Sequence, residues 1–147
     1  MVEVTRVIKI QTGCKECLEF IMKSLSLING ILLMKIFNDE LVITYETNNV
    51  KFSEIAQTIL SLGVGILLRK VIINVGNKKL SIDYFKNLVD VVDGIVDAIY
   101  DPSTSRLSIL MHPDVDLDVI INQLIGMGLS THEVVADEVS QVLMARS

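Results

Sequence analysis

Basic residues, long apolar runs, cysteines and prolines are all scarce in this 147-residue chain. The 13 Lys and Arg are outnumbered by 18 Asp and Glu, giving a net charge of −5 and a pI near 4.9. An acidic surface argues against non-specific nucleic-acid binding and against docking on anionic lipid, since both need clustered basic residues. No apolar run reaches the ~20 residues of a membrane span, and the N-terminus has no signal-peptide pattern. We therefore expect a cytoplasmic protein without membrane insertion or nucleic-acid binding.

The chain has only two cysteines, Cys14 and Cys17, separated by two residues. Such a pair in a cytoplasmic protein more often binds metal or acts in redox chemistry than serves as a structural staple. As a disulfide it would close a very small loop and restrain the unfolded chain little. The only prolines, Pro102 and Pro113, lie in the other half of the chain. A thioredoxin-like proline loop facing the cysteines is therefore disfavoured, which lowers the redox alternative.

Half of the residues are hydrophobic, which is enough for one ordinary domain or two small ones. Alternating or β-branched runs predict strands, and apolar residues at helical spacing predict helices. In the first half, strands are predicted at 4–10, 31–37, 41–45 and 64–68, and helices at 14–27 and 52–62. The order is β-α-β-β-α-β, the ferredoxin-like arrangement.

The same order follows at once, with strands predicted at 71–75, 95–100, 107–111 and 129–135 and helices at 81–92 and 117–127. Gly30 and Gly94 are 64 residues apart and Gly63 and Gly128 are 65 apart, so the chain contains an internal repeat of about 65 residues. We predict an α+β protein of tandem ferredoxin-like units, with antiparallel sheets and helices on one face.

The predicted domains are residues 1–69, with the cysteines, and residues 70–136, without them. A short C-terminal helix is predicted at 137–147. Between the two units, residues 64–75 contain no proline, serine or polar linker. We expect the last strand of the first unit to run almost straight into the first strand of the second. The alternative is a sharp bend at Arg69 and Lys70 between two loosely packed units.

The two sulfurs lie where a strand gives way to a helix, with Cys14 on the loop and Cys17 in the first helical turn. The partial positive charge of a helix N-terminus lowers the pKa of a thiol, and Lys15 adds a cation that Glu16 opposes. Thiolates suit Cu(I) and Zn(II), but structural zinc sites want four ligands. Two cysteines per chain therefore favour an open, low-coordinate Cu(I) site, although Zn(II) or another soft metal remains an alternative.

A Cys-x-x-Cys at the first loop of a βαββαβ unit of this length resembles the heavy-metal-associated domain family. That family includes copper chaperones and the cytosolic N-terminal metal-binding domains of metal-transporting P-type ATPases. The resemblance covers residues 4–68 with the motif and 71–135 as topology only. It implies that Cys14 and Cys17 bind a soft ion reversibly and pass it by direct contact to a P-type ATPase or another metal-handling protein.

Two features depart from the family pattern. The family motif is Gly-Met-x-Cys-x-x-Cys, with the Met side chain tucked under the metal loop, whereas Thr12 and Gly13 precede the first cysteine here. Near the end of the unit the family usually has a glycine followed by an aromatic residue or a lysine, and here Val64 follows Gly63. Thr12, Gly13, Lys15 and Val64 are thus the predicted support of the site.

The second unit has Lys78 and Ser81 where cysteines would fall, so it offers no thiol site. Met111, His112 and His132 could be read as extra soft ligands, but Met111 alternates with Leu107 and Ile109 as a core position. The aspartates at 114, 116 and 118 lack the spacing of a calcium loop and are better explained as solvating and capping the last helix.

The leading hypothesis is a non-enzymatic soft-metal protein, with Cu(I) on Cys14 and Cys17, that acts in metal transport, buffering or detoxification. Two alternatives stay open. One is an interaction module with a vestigial metal site that docks or forms a homodimer through exposed sheet edges. The other is a dithiol redox protein with a reversible disulfide between the two cysteines.

Overall fold

The computed structural model describes residues 2–11, 14–76, 80–81, 83–129 and 133–142. These residues form two compact units, one of residues 2–67 with 141–142 and the other Leu68–Ser140. Across them, no helix combines the length and the apolar character needed to cross a membrane. The fold is α+β with antiparallel strand pairing, as predicted.

The first unit contains β1 (Glu3–Gln11), α1 (Lys15–Ser26), β2 (Ile31–Phe37), β3 (Glu40–Glu46), α2 (Phe52–Ser61) and the start of β4 (Gly65–Asn74). Its strand order is β2-β3-β1-β4, which is the ferredoxin-like order. β1 pairs with β3 antiparallel, Val7 opposite Val42, and its last residues pair with β4, Ile10 opposite Ile66.

Alternation along the strands separates a buried face from an exposed one. On β1, Ile8 and Ile10 are buried while Val7 and Lys9 are exposed. Helix α1 buries Ile21 and Leu25, which lie one turn apart, and α2 buries its own stripe of Phe52, Ile55, Ala56, Ile59 and Leu60. The two helices cover the buried face of the sheet and leave its other face exposed.

The second unit contains the rest of β4 with α3 (Leu88–Val91), β5 (Ile95–Asp101), β6 (Arg106–Met111), α4 (Leu117–Gly126) and all but the last two residues of β7 (Glu133–Val142). β4 pairs with β6 and with β7, and β6 pairs with β5, so the ferredoxin-like order recurs. Its core is apolar and includes Phe85, whose ring lies 5.2 Å from that of Tyr100. Met111 is fully buried in this core, as predicted.

The two strands predicted on either side of Arg69 and Lys70 form a single strand, β4, and the units divide inside it between Leu67 and Leu68. Near continuity was expected because the segment lacks turn residues, and the structure confirms it. The predicted division lay two residues later, after residue 69.

The helix predicted at 81–92 is wrong for most of its length, because among the described residues of this range only Leu88–Val91 is α-helical. The preceding segment makes tight-turn bonds instead: the N–H groups of Tyr84 and Lys86 donate to the carbonyls of Ser81 and Asp83, three residues back. The sequence there is rich in Asp, Asn and Val, which are weak helix formers. Phe85 still reaches the core, so the apolar spacing is satisfied without a regular helix.

The C-terminal helix predicted at 137–147 is also wrong, because β7 continues to Val142 as a strand. The strand is rich in valine, which favours extended backbone. Asp137 receives two hydrogen bonds from the guanidinium of Arg69 on β4, at 2.6 and 2.8 Å. This cross-strand pair holds the segment beside β4. The last five residues of the predicted helix, 143–147, lie outside the described residues.

Candidate functional site

Cys14 and Cys17 lie at the N-terminal end of α1. Cys14 is the N-cap residue, with extended backbone (φ −109°, ψ 112°), and Cys17 is in the first turn. The backbone N–H of Cys17 donates to Cys14 Sγ at 3.1 Å. This bond satisfies one of the N–H groups that a helix start leaves unpaired, a task usually done by Ser, Thr, Asp or Asn.

The two cysteines are joined in a disulfide, with their Cα atoms 5.2 Å apart. Both side chains are partly exposed. The spacing therefore does what the sequence suggested: it brings both sulfurs together at one end of one helix. A two-electron reduction would leave two thiols at the positive end of the α1 dipole, where an anionic sulfur is stabilised.

An open pocket of about 290 Å³ adjoins the two sulfurs, lined by Cys14, Glu16, Cys17, Phe20, Leu62 and Val64. Phe20 comes from α1, one turn after Cys17, and is 57% exposed. Leu62 and Val64 come from the segment between α2 and β4, and Val64 is only 5% exposed. The sulfurs thus lie against an apolar wall that tertiary structure assembles from two separate segments.

Gly63 shapes this wall. It follows α2 with φ +82°, a backbone conformation that favours glycine, and it turns the chain so that Leu62 and Val64 both line the pocket. The predicted proximity of Val64 to the cysteines is therefore present in the structure. Its role as support for a bound metal stays a prediction.

The other predicted supporting residues are Thr12, Gly13 and Lys15. Thr12 and Gly13 lie outside the described residues, and so does the side chain of Lys15, although its backbone opens α1. In the second unit, Ser81 precedes the tight-turn segment and Lys78 lies outside the described residues.

Sequence reasoning did not identify Phe20, Leu62 or Glu16 as pocket residues. Phe20 was placed on the apolar stripe of α1, and its spacing of three residues from Cys17 was the available signal. Leu62 was placed at the end of α2, next to the glycine already noted. Their convergence depends on the packing of α1 against α2, which the sequence pattern does not specify.

No third ligand joins the two sulfurs within the described part of the chain, where no group of three or more His, Cys, Asp and Glu could hold a metal ion. His112, in the second unit, is buried and its Nδ1 lies 2.7 Å from Asp114 Oδ1. Asp116 caps α4 by accepting from the N–H of Asp118, as predicted. His132 lies outside the described residues. The candidate ligand set therefore consists of two cysteine sulfurs.

Comparison with known proteins gives a likeness in structure only. No protein-family model and no curated protein matches the chain. The structure resembles the water-soluble region of the P-type ATPase CopA from Bacillus subtilis, with a TM-score of 0.55 and 12% sequence identity, over 88% of this chain and 90% of that one. The likeness is one of fold.

A second solved structure, of the N-terminal soluble domains of Bacillus subtilis CopA, matches with a TM-score of 0.45 and 13% identity, over 90% of this chain and 94% of that one. The first comparison agrees with the strand orders described above: the chain is a tandem ferredoxin-like α+β protein.

Proposed function

We propose that this protein carries a soft metal ion, Cu(I), on the thiolates of Cys14 and Cys17, and that it is a carrier and not an enzyme. The observation that supports the proposal most directly is the placement of both sulfurs at the N-terminus of α1, beside an apolar wall. Among the described residues, no group of three or more His, Cys, Asp and Glu could hold a metal ion, so the two sulfurs are the proposed ligands.

The chemistry of the ligand set favours Cu(I) over Zn(II). Cu(I) is satisfied by two or three thiolates, whereas a structural zinc site takes four ligands. The N–H bond to Cys14 and the helix dipole stabilise negative sulfur, and the apolar wall of Phe20, Leu62 and Val64 lies beside the two sulfurs. Because the structure has the two cysteines joined, uptake requires the disulfide to be reduced first.

An open, low-coordinate site also suits transfer. An incoming thiolate can occupy a vacant position on the ion before either cysteine leaves. We propose that the partner is a metal-transporting P-type ATPase or another metal-handling protein of the cytoplasm. The similar fold of the soluble region of a P-type ATPase supports this choice. The second unit contains no cysteine and so offers no thiolate to the ion.

Titration of reduced, anaerobically purified protein with Cu(I), against a competing chromophoric chelator, tests the proposal. We expect one Cu(I) per chain and loss of binding when Cys14 and Cys17 are both changed to serine. Met34→Leu, which removes a thioether sulfur from β2 outside the pocket, is the matched control and should bind Cu(I) as the unchanged protein does. Undiminished Cu(I) affinity in the double serine variant would refute the proposal.

The disulfide itself favours a second candidate, a dithiol redox function. It predicts a reversible disulfide with a potential in the range of oxidoreductases, roughly −270 to −120 mV, and turnover with a dithiol donor. Equilibration with glutathione buffers of known potential, followed by counting of free thiols, measures the first property. A potential well below that range with no turnover would exclude this candidate and leave metal binding standing.

A further inference from the structure

We propose that the reduced site also binds a trivalent arsenical that carries one apolar substituent, with arsenic on the two sulfurs and the substituent in the adjoining pocket. The inference rests on the proposed function to the extent that it requires Cys14 and Cys17 as accessible soft ligands. The inference goes beyond that function because it assigns an organic group to the adjoining pocket. A bare metal ion on the two sulfurs would leave that pocket unfilled.

The pocket is large for a site that holds only a metal ion. Its volume of about 290 Å³ can be compared with the engineered apolar cavity of about 150 Å³ that admits benzene. Three of its six described lining residues, Phe20, Leu62 and Val64, are purely apolar, and Phe20 is 57% exposed. An aryl group placed there would cover apolar surface that is now in water.

The two sulfurs match the valence of trivalent arsenic. In a monosubstituted arsenous acid, R–As(OH)₂, two hydroxyls are exchangeable and the third bond holds the organic group. Two thiols displace both hydroxyls: two As–O bonds break, two As–S bonds form, and two waters leave with the thiol protons. Arsenic stays trivalent, so no electron is transferred. The disulfide must first accept two electrons from a thiol or phosphine reductant.

The organic substituent on arsenic decides which arsenicals the site prefers. With both sulfurs fixed at the end of α1 and the wall formed by Phe20, Leu62 and Val64 beside them, an apolar R group has a surface to contact. A group as small as methyl contacts less of that surface than phenyl does. Among the lining residues that the structure describes, Glu16 is the charged one, and its carboxylate disfavours an anionic substituent. The preferred class is therefore a neutral aryl or long alkyl arsenical.

The experiment uses the full chain, reduced with a phosphine, and two probes: phenylarsine oxide and methylarsonous acid. Dissociation constants are measured by competition with a small flexible dithiol, which corrects for the intrinsic affinity of each arsenical. We expect the protein to favour phenyl over methyl by roughly tenfold more than the small dithiol does, the scale of one buried apolar contact.

Phe20→Ala should reduce this preference to about twofold or less, and Phe20→Leu should retain an intermediate value. Phe37→Ala is the matched control: Phe37 is 63% exposed on β2 and does not line the pocket, so the preference should be unchanged. Both phenylalanines are exposed, so neither substitution is expected to unfold the protein, and circular dichroism checks this.

Two results would overturn the inference: no excess phenyl preference over the small dithiol, or a preference that survives Phe20→Ala. The Cu(I) titration, run on the same preparations, separates this outcome from failure of the proposed function. Protein that binds Cu(I) through both cysteines but shows no phenyl preference retains the copper site and loses only the arsenical. Protein with the phenyl preference and no Cu(I) affinity keeps the arsenical site and loses the copper function.

Discussion

Replacement of Gly30 by alanine should destabilise the protein more than the same replacement at Gly126 or Gly128. Gly30 lies between α1 and β2 with φ +106°, a conformation that costs other residues about 1–2 kcal/mol. An added Cβ would lie 2.8 Å from Asn49 Cβ and 3.0 Å from Val50 Cγ1. Carbon atoms pack best at about 3.5–4.0 Å, so the neighbours must move, at a cost of roughly 1–3 kcal/mol. The expected total is about 2–5 kcal/mol.

Two glycines in the second unit provide matched controls. Gly128 has φ +84° but open space around the position of an added Cβ, so Gly128→Ala should cost only the backbone strain, about 1–2 kcal/mol. Gly126 is the last residue of α4, has no positive φ and also faces open space. Gly126→Ala should therefore stabilise the protein, by up to about 0.5–1 kcal/mol.

The free energy of unfolding is measured in urea by circular dichroism, and hydrogen exchange assigns each loss to one unit. The expected order of stability is Gly126→Ala, then the unchanged protein, then Gly128→Ala, then Gly30→Ala. If Gly30→Ala costs no more than Gly128→Ala, the contact with Asn49 and Val50 contributes nothing and the reasoning fails.

Two further substitutions test two separate features. One is the ion pair of Arg69 and Asp137, which holds β7 beside β4, and the other is the buried face of α1. The guanidinium of Arg69 lowers the pKa of Asp137 through a side-chain hydrogen bond. The pair therefore stabilises the fold fully above the unfolded pKa of about 3.9, and this stabilisation is lost as the pH falls through the lower folded pKa. Asp137→Asn should therefore lower the free energy of unfolding by about 0.5–1 kcal/mol at pH 7, a small loss because the Asp137 side chain is 37% exposed. In urea titrations this loss should become progressively smaller below about pH 4. An equal loss at both pH values would contradict the reasoning. Ile21→Ala, at a fully buried position of α1, should cost about 2–4 kcal/mol by the same measurement, whereas Leu27→Ala, 86% exposed, should change stability by less than about 0.5 kcal/mol.

Most of the fold could be predicted because short-range pattern decides it. Period-two alternation of β-branched residues located the strands, and glycines with positive φ follow the helices in both units, as Gly63 and Gly128 do. The prediction of a C-terminal helix failed because Val139 and Val142 lie three residues apart, a spacing that suits a helix as well as a strand. The deciding contact, between Asp137 and Arg69, spans 68 residues and is invisible to a local pattern.

The candidate site divides in the same way. Cys14 and Cys17 were located from their spacing alone, since three residues of helix start bring the two sulfurs together. The apolar wall could not be predicted in this way, because Phe20 and Leu62 belong to different helical segments and come together only through packing. A local motif thus identifies the ligands of a site, whereas its selectivity depends on residues that the motif does not contain.

The disulfide and the proposed Cu(I) site are competing states of the same two sulfurs, because an oxidised pair offers no thiolate. A ligand that binds only the reduced form stabilises that form, by about 4.1 kcal/mol when its free concentration is 1,000 times the dissociation constant. For a two-electron couple this raises the reduction potential of the disulfide by roughly 90 mV, taking about 30 mV per 1.4 kcal/mol. A potential that shifts with Cu(I) in this way is expected if Cys14 and Cys17 hold the ion, and a potential indifferent to Cu(I) would place the ion elsewhere. The metal and redox hypotheses for this protein are therefore coupled, and the size of that coupling measures the affinity of the site.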